Sequence, residues 1–262
     1  MDNKLQPDDF KPEITTSWAF PERGKWATHN PKYRGNFAPQ IPRNLIEMYS
    51  EEGDYILDPM VGSGTTLIEA KLLNRNALGV DVNPNAVELT KKALEFDFKT
   101  SSKQKVVQGD ARDLSMLKDG TIDLIITHPP YLNIITYSDG QIAEDLSNIS
   151  NIAKFMDEIG RVAEELFRVL KKDKYCAILM GDTRKAKHYI PLSYYLMQRF
   201  LDAGFILKEQ IIKGQYNCTF SKRWENKAKE MKFYLIMHEN LFVFRKPNET
   251  EDLSRLKWSR KV

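Results

Sequence analysis

Cysteine, histidine and long apolar runs are scarce in this 262-residue chain. The two cysteines, Cys176 and Cys218, and the four histidines lack the spacing of metal ligands. This excludes a disulfide framework and a four-cysteine zinc centre, and we expect no metal. No window approaches the roughly 18 consecutive apolar residues of a transmembrane helix, and the opening MDNKLQPDDFKPE has no basic flank or apolar core of a signal peptide. We therefore expect a cytoplasmic protein without a membrane segment.

Net charge is small as well, at +3, and does not by itself indicate a polyanionic partner. Cations nevertheless alternate with aromatic residues in 22–35, in 221–232 and in the tail SRLKWSRKV. This pattern suits phosphates and stacked bases, although each stretch alone is also typical of a solvated basic loop. Within the second stretch, Lys222 and Arg223 are candidate nucleic-acid contacts.

From residue 55 onwards, short β-branched runs alternate with amphipathic helical patterns. This alternation predicts an α/β fold, a doubly wound and mainly parallel sheet with helices on both faces. Only a short polar segment separates the last two strands, so one of them should be antiparallel. We divide the chain into an irregular N-terminal arm (1–50), a domain (51–246) and a basic tail (247–262).

The segment LDPMVGSGTTLIEA is predicted to form a strand, a glycine-rich turn and a helix. Gly62 and Gly64 allow the backbone to pass close to a ligand, and Thr65 and Thr66 offer hydroxyls and free amides at the start of the helix. The Gly-Lys-Ser/Thr of a phosphate-binding loop is absent, and Leu67 stands where a dinucleotide fingerprint needs glycine. The pattern favours a different cofactor with an anionic end.

Acidic residues end three successive predicted strands: Asp58, Asp81 and Asp110. Parallel strands present their carboxyl ends at one edge of the sheet, where ligands bind. Asp81 is placed to accept hydrogen bonds from a ribose diol, and Asp110 from an adenine amino group. Each acid alone is a routine turn residue, whereas the three together indicate a nucleoside-containing cofactor.

The stretch IDLIITHPPYLN runs an apolar strand into two prolines. Pro129 and Pro130 cannot continue a central strand, because each lacks a ladder donor and has φ fixed near about −65°. The strand should therefore end at His128, at the ligand-binding edge. Taken alone, the proline pair is compatible with an ordinary turn in which His128 and Tyr131 only pack.

Four motifs in order, DPMVGSGTT, GVDVNPNAV, GDARDL and THPPY, resemble motifs I to IV of S-adenosylmethionine-dependent DNA amino-methyltransferases, which act on cytosine N4 or adenine N6. The preceding WATHNPKYRGNFAPQIPRNLI resembles the segment before motif I in small members of that family, and the similarity covers roughly residues 17 to 245. The resemblance implies a Rossmann-like class I methyltransferase fold with a mainly parallel seven-stranded sheet. It also implies S-adenosyl-L-methionine as cofactor and double-stranded DNA as partner.

Residue by residue, the resemblance implies a catalytic motif and a cofactor site. The cofactor residues are Phe37, Pro39, Asp58, Pro59, Gly62, Gly64, Thr65, Thr66, Asp81, Val82, Asp110 and Ala111. The catalytic residues are His128, Pro129, Pro130 and Tyr131. Side chain 128 and the carbonyl of Pro129 would take the two hydrogens of the target amine, and Tyr131 would stack on a base flipped out of the duplex.

His128 departs from the family pattern, which has serine in cytosine enzymes and aspartate or asparagine in adenine enzymes. Neutral histidine can still accept one hydrogen bond. We favour cytosine N4 because the pocket lacks the carboxylate or amide that adenine enzymes use. Alternatives are an RNA or protein-glutamine methyltransferase and a catalytically silent nucleic-acid-binding protein of the same fold; no appended RNA-binding domain is visible, which favours DNA.

Loops 132–150 and 214–232 are expected to contact DNA. Tyr137 in the first loop and Asp182 after a later strand are candidate substrate contacts, together with Lys222 and Arg223. Asp182 could instead cap the next helix.

Overall fold

The chain is built around one large sheet. The computed structural model describes residues 4–216 and 221–261, without the side chains of residues 221–223. The strands of the sheet are β1 (Ser17–Trp18), β2 (Tyr55–Asp58), β3 (Asn76–Asp81), β4 (Gln104–Gln108), β5 (Ile122–Thr127), β6 (Leu170–Gly181), β9 (Ile206–Gly214) and β10 (His238–Arg245). A separate hairpin consists of β7 (Thr183–Lys185) and β8 (His188–Ile190).

The strand order is β1-β9-β10-β6-β5-β2-β3-β4. Neighbours from β4 through β6 are parallel, and β10 is antiparallel to both β6 and β9. The predicted mainly parallel sheet with an antiparallel strand near its C-terminal end is confirmed. Compared with the seven strands predicted, the sheet gains the two-residue β1, which the N-terminal arm adds in parallel to β9.

Six helices accompany the sheet within the described residues: α1 (Gln40–Tyr49), α2 (Thr65–Leu72), α3 (Pro84–Ala93), α4 (Ile152–Val169), α5 (Leu192–Asp202) and α6 (Ser221–Glu230). Side chains of a strand alternate between its two faces. Ile56 and Leu124 accordingly pack with α1 and α2, whereas Leu57 and Ile125 pack with α4 and α5. Helices therefore cover both faces, as predicted.

Helix α4 shows how the local sequence dictates these elements. The Asn151 side chain accepts a hydrogen bond from the Lys154 amide and caps the helix start. Phe155, Ile159 and Val162 recur at helical spacing and are fully buried. Complete burial of each such side chain contributes about 1.5–3 kcal/mol, so this face fixes the helix on the sheet.

Two segments expected to be irregular contain helices. In the arm, α1 buries Ile41, Leu45 and Ile46. Pro42 made this stretch look broken, but a proline is tolerated in the first turn, where its missing N–H has no helical partner. In the expected loop 214–232, α6 occupies residues 221–230. Loop 132–150 has only a 3₁₀ turn at Leu146–Asn148.

The tail predicted as a basic extension also carries structure. A 3₁₀ helix spans Leu253–Ser259, and Lys261 forms an ion pair of 3.0 Å with Asp202 at the end of α5. Among the helices of the described residues, none has the length and apolar character needed to cross a bilayer.

Candidate active site

Two adjoining cavities open at the carboxyl edge of the parallel strands. The first cavity is lined by the ends of β2 and β3, the segments after β4 and β5, and residues 33, 35–37, 137 and 144–146. The second cavity is lined by parts of the N-terminal arm, the turn after β5 and the facing ends of β9 and β10. His128 and Phe37 line both cavities and so stand at their boundary.

Most predicted cofactor residues meet in the first cavity. Those lining it are Phe37, Asp58, Pro59, Gly62, Thr65, Asp81, Val82, Asp110 and Ala111. Pro39, Gly64 and Thr66 are not among its lining residues. Pro39 precedes α1 as its N-cap residue.

Gly64 packs against α3, and its predicted contact with the cofactor stays a prediction. Its φ is +85°, and a Cβ atom there would lie 2.7 Å from Cγ2 of Thr90 on α3. Glycine is therefore required by the backbone and by the closeness of α3. The Thr66 hydroxyl donates a hydrogen bond of 2.5 Å to the Asp58 carboxylate and thus supports a residue of the cavity wall.

The two carboxylates of the strand ends are held by backbone amides. Asp58 is buried, and it accepts from the Met60 amide as well as from Thr66. Burial raises the pKa of Asp58 to about 7 despite these hydrogen bonds. Asp81 accepts from the amides of Gly62 and Asn83, each at 2.9 Å, and burial raises its pKa too.

Asp110 lies at the far side of the first cavity. Both of its oxygens are 3.0 Å from Nε of Arg112, and Nη2 approaches one of them to 2.7 Å. Arg112 also binds Glu158 on α4. The carboxylate is thus fixed in orientation by a bidentate pair, with lone pairs left for a further donor.

Two tyrosines line the first cavity, Tyr137, which is a predicted substrate contact, and Tyr33, which is not. The rings of Tyr33 and Tyr137 stack with centroids 6.0 Å apart at 17°. The Asn83 side chain donates to the Tyr137 carbonyl, which ties the loop to the end of β3. Asp145, also in the lining, accepts from Ser138 and from the Ser147 amide.

His128 follows β5 directly and is neutral at physiological pH. Its Nε2 lies 2.5 Å from the Tyr131 hydroxyl, and the Phe37 ring stacks on it at 5.5 Å. Burial lowers the pKa of His128 to about 4 although the charge of Glu239 raises it, and the positive charge of Lys213 lowers it further. The ring therefore retains one acceptor nitrogen, as the sequence reasoning required.

Tyr131 connects His128 to two charged residues that the sequence reasoning missed. Its hydroxyl donates to Oε1 of Glu239 at 2.7 Å, and Lys213 binds Oε2 at 2.8 Å. Because β10 is antiparallel, its amino end lies at the same edge as the carboxyl ends of β6 and β9, and Glu239 pairs in register with Gly181 and Lys213. The acid ahead of the apolar run 241–244 was the available signal.

This carboxylate corrects one premise of the choice of base. The second cavity was expected to lack a carboxylate, but Glu239 lines it, only 6% exposed. Both oxygens of Glu239 are engaged with Tyr131 and Lys213. The group at the catalytic position itself remains a neutral imidazole.

The candidate substrate residues lie in different surroundings. Tyr137 lines both cavities. Asp182 instead accepts from the amide and hydroxyl of Ser193, at 2.8 and 3.1 Å, and from Tyr189, so it holds the start of α5. The side chains of Lys222 and Arg223 lie outside the described residues.

Comparisons with known proteins agree with this geometry. The chain matches the family described as DNA methylase over residues 2–92 and 122–261, and a methyltransferase domain over residues 57–130. It is 36% identical over 115 residues to a tRNA (guanine(10)-N2)-dimethyltransferase of Methanothermobacter thermautotrophicus, which covers 44% of this chain and 33% of that relative. It is 38% identical over 77 residues to the type II methyltransferase M2.DpnII of Streptococcus pneumoniae, covering 29% of this chain and 28% of the relative.

The chain thus spans about a third or less of the length of these two curated relatives. Among solved structures, an S-adenosylmethionine-dependent methyltransferase of Methanosarcina mazei superposes with a TM-score of 0.55 at 17% identity, over 78% of this chain and 98% of that one. At this identity the likeness shows the fold.

Proposed function

The chain belongs to the DNA methylase family of N6 and N4 amino-methyltransferases, and from this we propose that it methylates the exocyclic amine of a flipped base in double-stranded DNA, with cytosine N4 favoured over adenine N6. The observation that carries the proposal is the placement of a neutral His128 and the rigid Pro129-Pro130 turn between two cavities. One cavity suits the cofactor and the other a base.

The cofactor is S-adenosylmethionine, and the first cavity fits it. Its lining brings together the strand-end carboxylates Asp58, Asp81 and Asp110. The Asp58 carboxylate would hold the ammonium group of the methionine end, Asp81 the ribose hydroxyls and Asp110 the adenine amine. When bound, the cofactor supplies an electrophilic methyl group on a sulfonium centre.

The residues of the turn would prepare the amine. An exocyclic amine is a poor nucleophile, because its lone pair is delocalised into the base. His128 and the carbonyl of Pro129 would each accept one of its hydrogens and so direct the lone pair at the methyl group. A neutral acceptor at position 128 matches the serine of related cytosine enzymes more closely than a carboxylate does, which favours cytosine.

The second cavity would receive the flipped base. Phe20, Pro129 and Tyr131 give it apolar and aromatic walls, on which a base can stack. The Tyr131 ring packs against Gly181, where any side chain would overlap it. In the free protein, however, Nε2 of His128 contacts Tyr131 and its Nδ1 is buried, so amine binding requires the release of one ring nitrogen.

Arg23 is expected to contribute a phosphate contact. It lines the second cavity, and its Nε and Nη2 are buried with no hydrogen-bond partner among the described residues. A guanidinium without a carboxylate partner suits a phosphate. Arg23→Ala should weaken DNA binding and reduce the slope of log affinity against log salt by about one contact, measured by fluorescence anisotropy.

The matched control is Lys25→Ala, which removes an exposed cation two residues away. Its salt slope should change less than that of Arg23→Ala. Equal slopes in wild type and Arg23→Ala would assign Arg23 to packing of the arm.

Cofactor affinity should depend on the protonation of Asp58. Only the ionised carboxylate attracts the ammonium group of the methionine end, and the pKa of Asp58 is raised to about 7. As the pH falls below 7, the affinity should therefore decrease, approaching tenfold per pH unit, with proton release on binding. Calorimetry in two buffers of different ionisation enthalpy measures both quantities. Asp58→Asn should bind weakly and without this pH dependence; an equally pH-dependent Asp58→Asn would reject the assignment.

RNA is the second candidate substrate, because one relative is a tRNA (guanine(10)-N2)-dimethyltransferase. The deciding experiment offers labelled S-adenosylmethionine with duplex DNA, transfer RNA or protein. Label in duplex DNA alone supports the proposal, and label in transfer RNA alone overturns it.

A further inference from the structure

Four polar residues form a hydrogen-bonded chain that starts at His128, the proposed acceptor of the target amine. It runs from His128 through Tyr131 and Glu239 to Lys213, with separations of 2.5, 2.7 and 2.8 Å. Glu239 and Lys213 are remote in sequence from the turn after β5. Glu239 is buried and the other three residues are partly buried, so water only partly competes for these hydrogen bonds.

The positions of the hydrogens follow from the number of donors and acceptors that each side chain has. Lys213 has only donors, so it donates to Glu239. The nearby positive charge of Lys213 keeps the pKa of Glu239 low despite burial, so the carboxylate is ionised and also accepts from Tyr131. The single hydroxyl hydrogen of Tyr131 is thereby used. The oxygen of Tyr131 must then accept from His128, which requires a hydrogen on Nε2.

We propose that Glu239 and Lys213 are positioning residues that fix the tautomer of His128, with the hydrogen on Nε2, so that Nδ1 is the nitrogen that accepts the target amine. The catalytic part of this inference rests on the proposed function, whereas the tautomer is a property of the free protein. A neutral imidazole has one acceptor, and the chain decides which nitrogen it is.

The surroundings of Nδ1 define what must move. Nδ1 is buried and makes no hydrogen bond with the described residues, and the Gly35 backbone raises the pKa of His128, as an acceptor beside the ring does. This neighbour alone would favour a hydrogen on Nδ1, and the ionised Glu239 opposes it through Tyr131. Gly35 has φ of +79°, and a side chain on it would overlap the Tyr137 hydroxyl. For Nδ1 to accept from the amine, the base would have to displace the Gly35 backbone from the ring.

Glu239→Gln reverses the predicted order of hydrogens without changing the size of the side chain. The amide oxygen must face Lys213, which can only donate, so the amide NH₂ faces Tyr131. Tyr131 then donates to Nε2 of His128, and the ring hydrogen moves to Nδ1. The double variant Lys213→Met/Glu239→Gln frees the amide oxygen to accept from Tyr131 and should restore the original tautomer.

Long-range ¹H–¹⁵N spectra of the full chain with ¹⁵N-labelled histidine rings read the tautomer directly. Only four histidines contribute, and His128→Ser identifies the relevant signals. Wild type should show a hydrogen on Nε2, Glu239→Gln a hydrogen on Nδ1, and the double variant a hydrogen on Nε2. Glu209→Gln, the same change on β9 outside the chain of four, should resemble wild type.

Single-turnover kinetics test the catalytic part. Glu239→Gln should lower the rate constant by about tenfold at an unchanged KM for DNA, and the double variant should recover most of it. A wild-type spectrum with the hydrogen on Nδ1, or no change in Glu239→Gln, overturns the tautomer assignment. A switched tautomer with an unchanged rate overturns the role of Nδ1. A wild-type protein that does not methylate DNA would contradict the proposed function but not the tautomer assignment.

Discussion

His128→Ala should lower the single-turnover rate of methyl transfer by roughly a hundredfold or more at every pH, because loss of a positioned polar group costs about this much. His128→Ser should keep substantial activity, since serine is the acceptor in related cytosine enzymes. Both rates are measured with cofactor and DNA saturating, which removes the contribution of Asp58 to cofactor binding. An alanine variant as fast as wild type would reduce His128 to packing.

The pH profile of wild type sharpens this test. Only neutral imidazole accepts a hydrogen bond, and the pKa of His128 is lowered from the usual 6.5 to about 4. The rate should therefore be flat from pH 8 down to about 5 and fall only near pH 4. A limb near the usual 6.5 that disappears in His128→Ser would show that the ring is more exposed than its packing against Phe37 and Tyr131 indicates.

Asp81→Ala should weaken binding of S-adenosylmethionine by about 1–3 kcal/mol, or roughly fivefold to 150-fold, through the loss of acceptors for a buried diol. Calorimetry measures the affinity. Asp81 also accepts from the amides of Gly62 and Asn83, so its removal loosens the glycine loop in addition. Asp81→Asn keeps the size and one acceptor oxygen and should lose less.

An unchanged affinity in Asp81→Ala would reject the cofactor assignment of the first cavity. A thermal melt of each variant accompanies the titration, because a loop defect that unfolds the domain would otherwise resemble a lost contact.

The parts of the fold that could be predicted depend on local patterns. The strand runs, the glycine turn and the prolines after β5 each determine the backbone conformation within a few residues. The glycine turn and the prolines lie at the predicted carboxyl edge of the sheet. Helix α1 was missed because Pro42 signals a break unless its position in the first turn is known.

The remaining parts depend on contacts between distant residues. Tyr131 and Glu239 are 108 positions apart, and only the antiparallel pairing of β10 brings them together. The packing of Gly64 against Thr90 could not be known from sequence, because the two residues lie on different elements. The sequence left open whether Asp182 contacts the substrate or caps the next helix. Its hydrogen bonds with Ser193 and Tyr189 show that it supports the start of α5.

The most direct test of the proposed function is identification of the methylated nucleoside. Wild type and His128→Ala are incubated with labelled S-adenosylmethionine and either duplex DNA or transfer RNA, and the products are digested to nucleosides and separated. The geometry around His128 predicts label in N4-methylcytosine from duplex DNA with wild type and far less with His128→Ala. Label confined to a guanine nucleoside of transfer RNA, or equal labelling by both proteins, would contradict it.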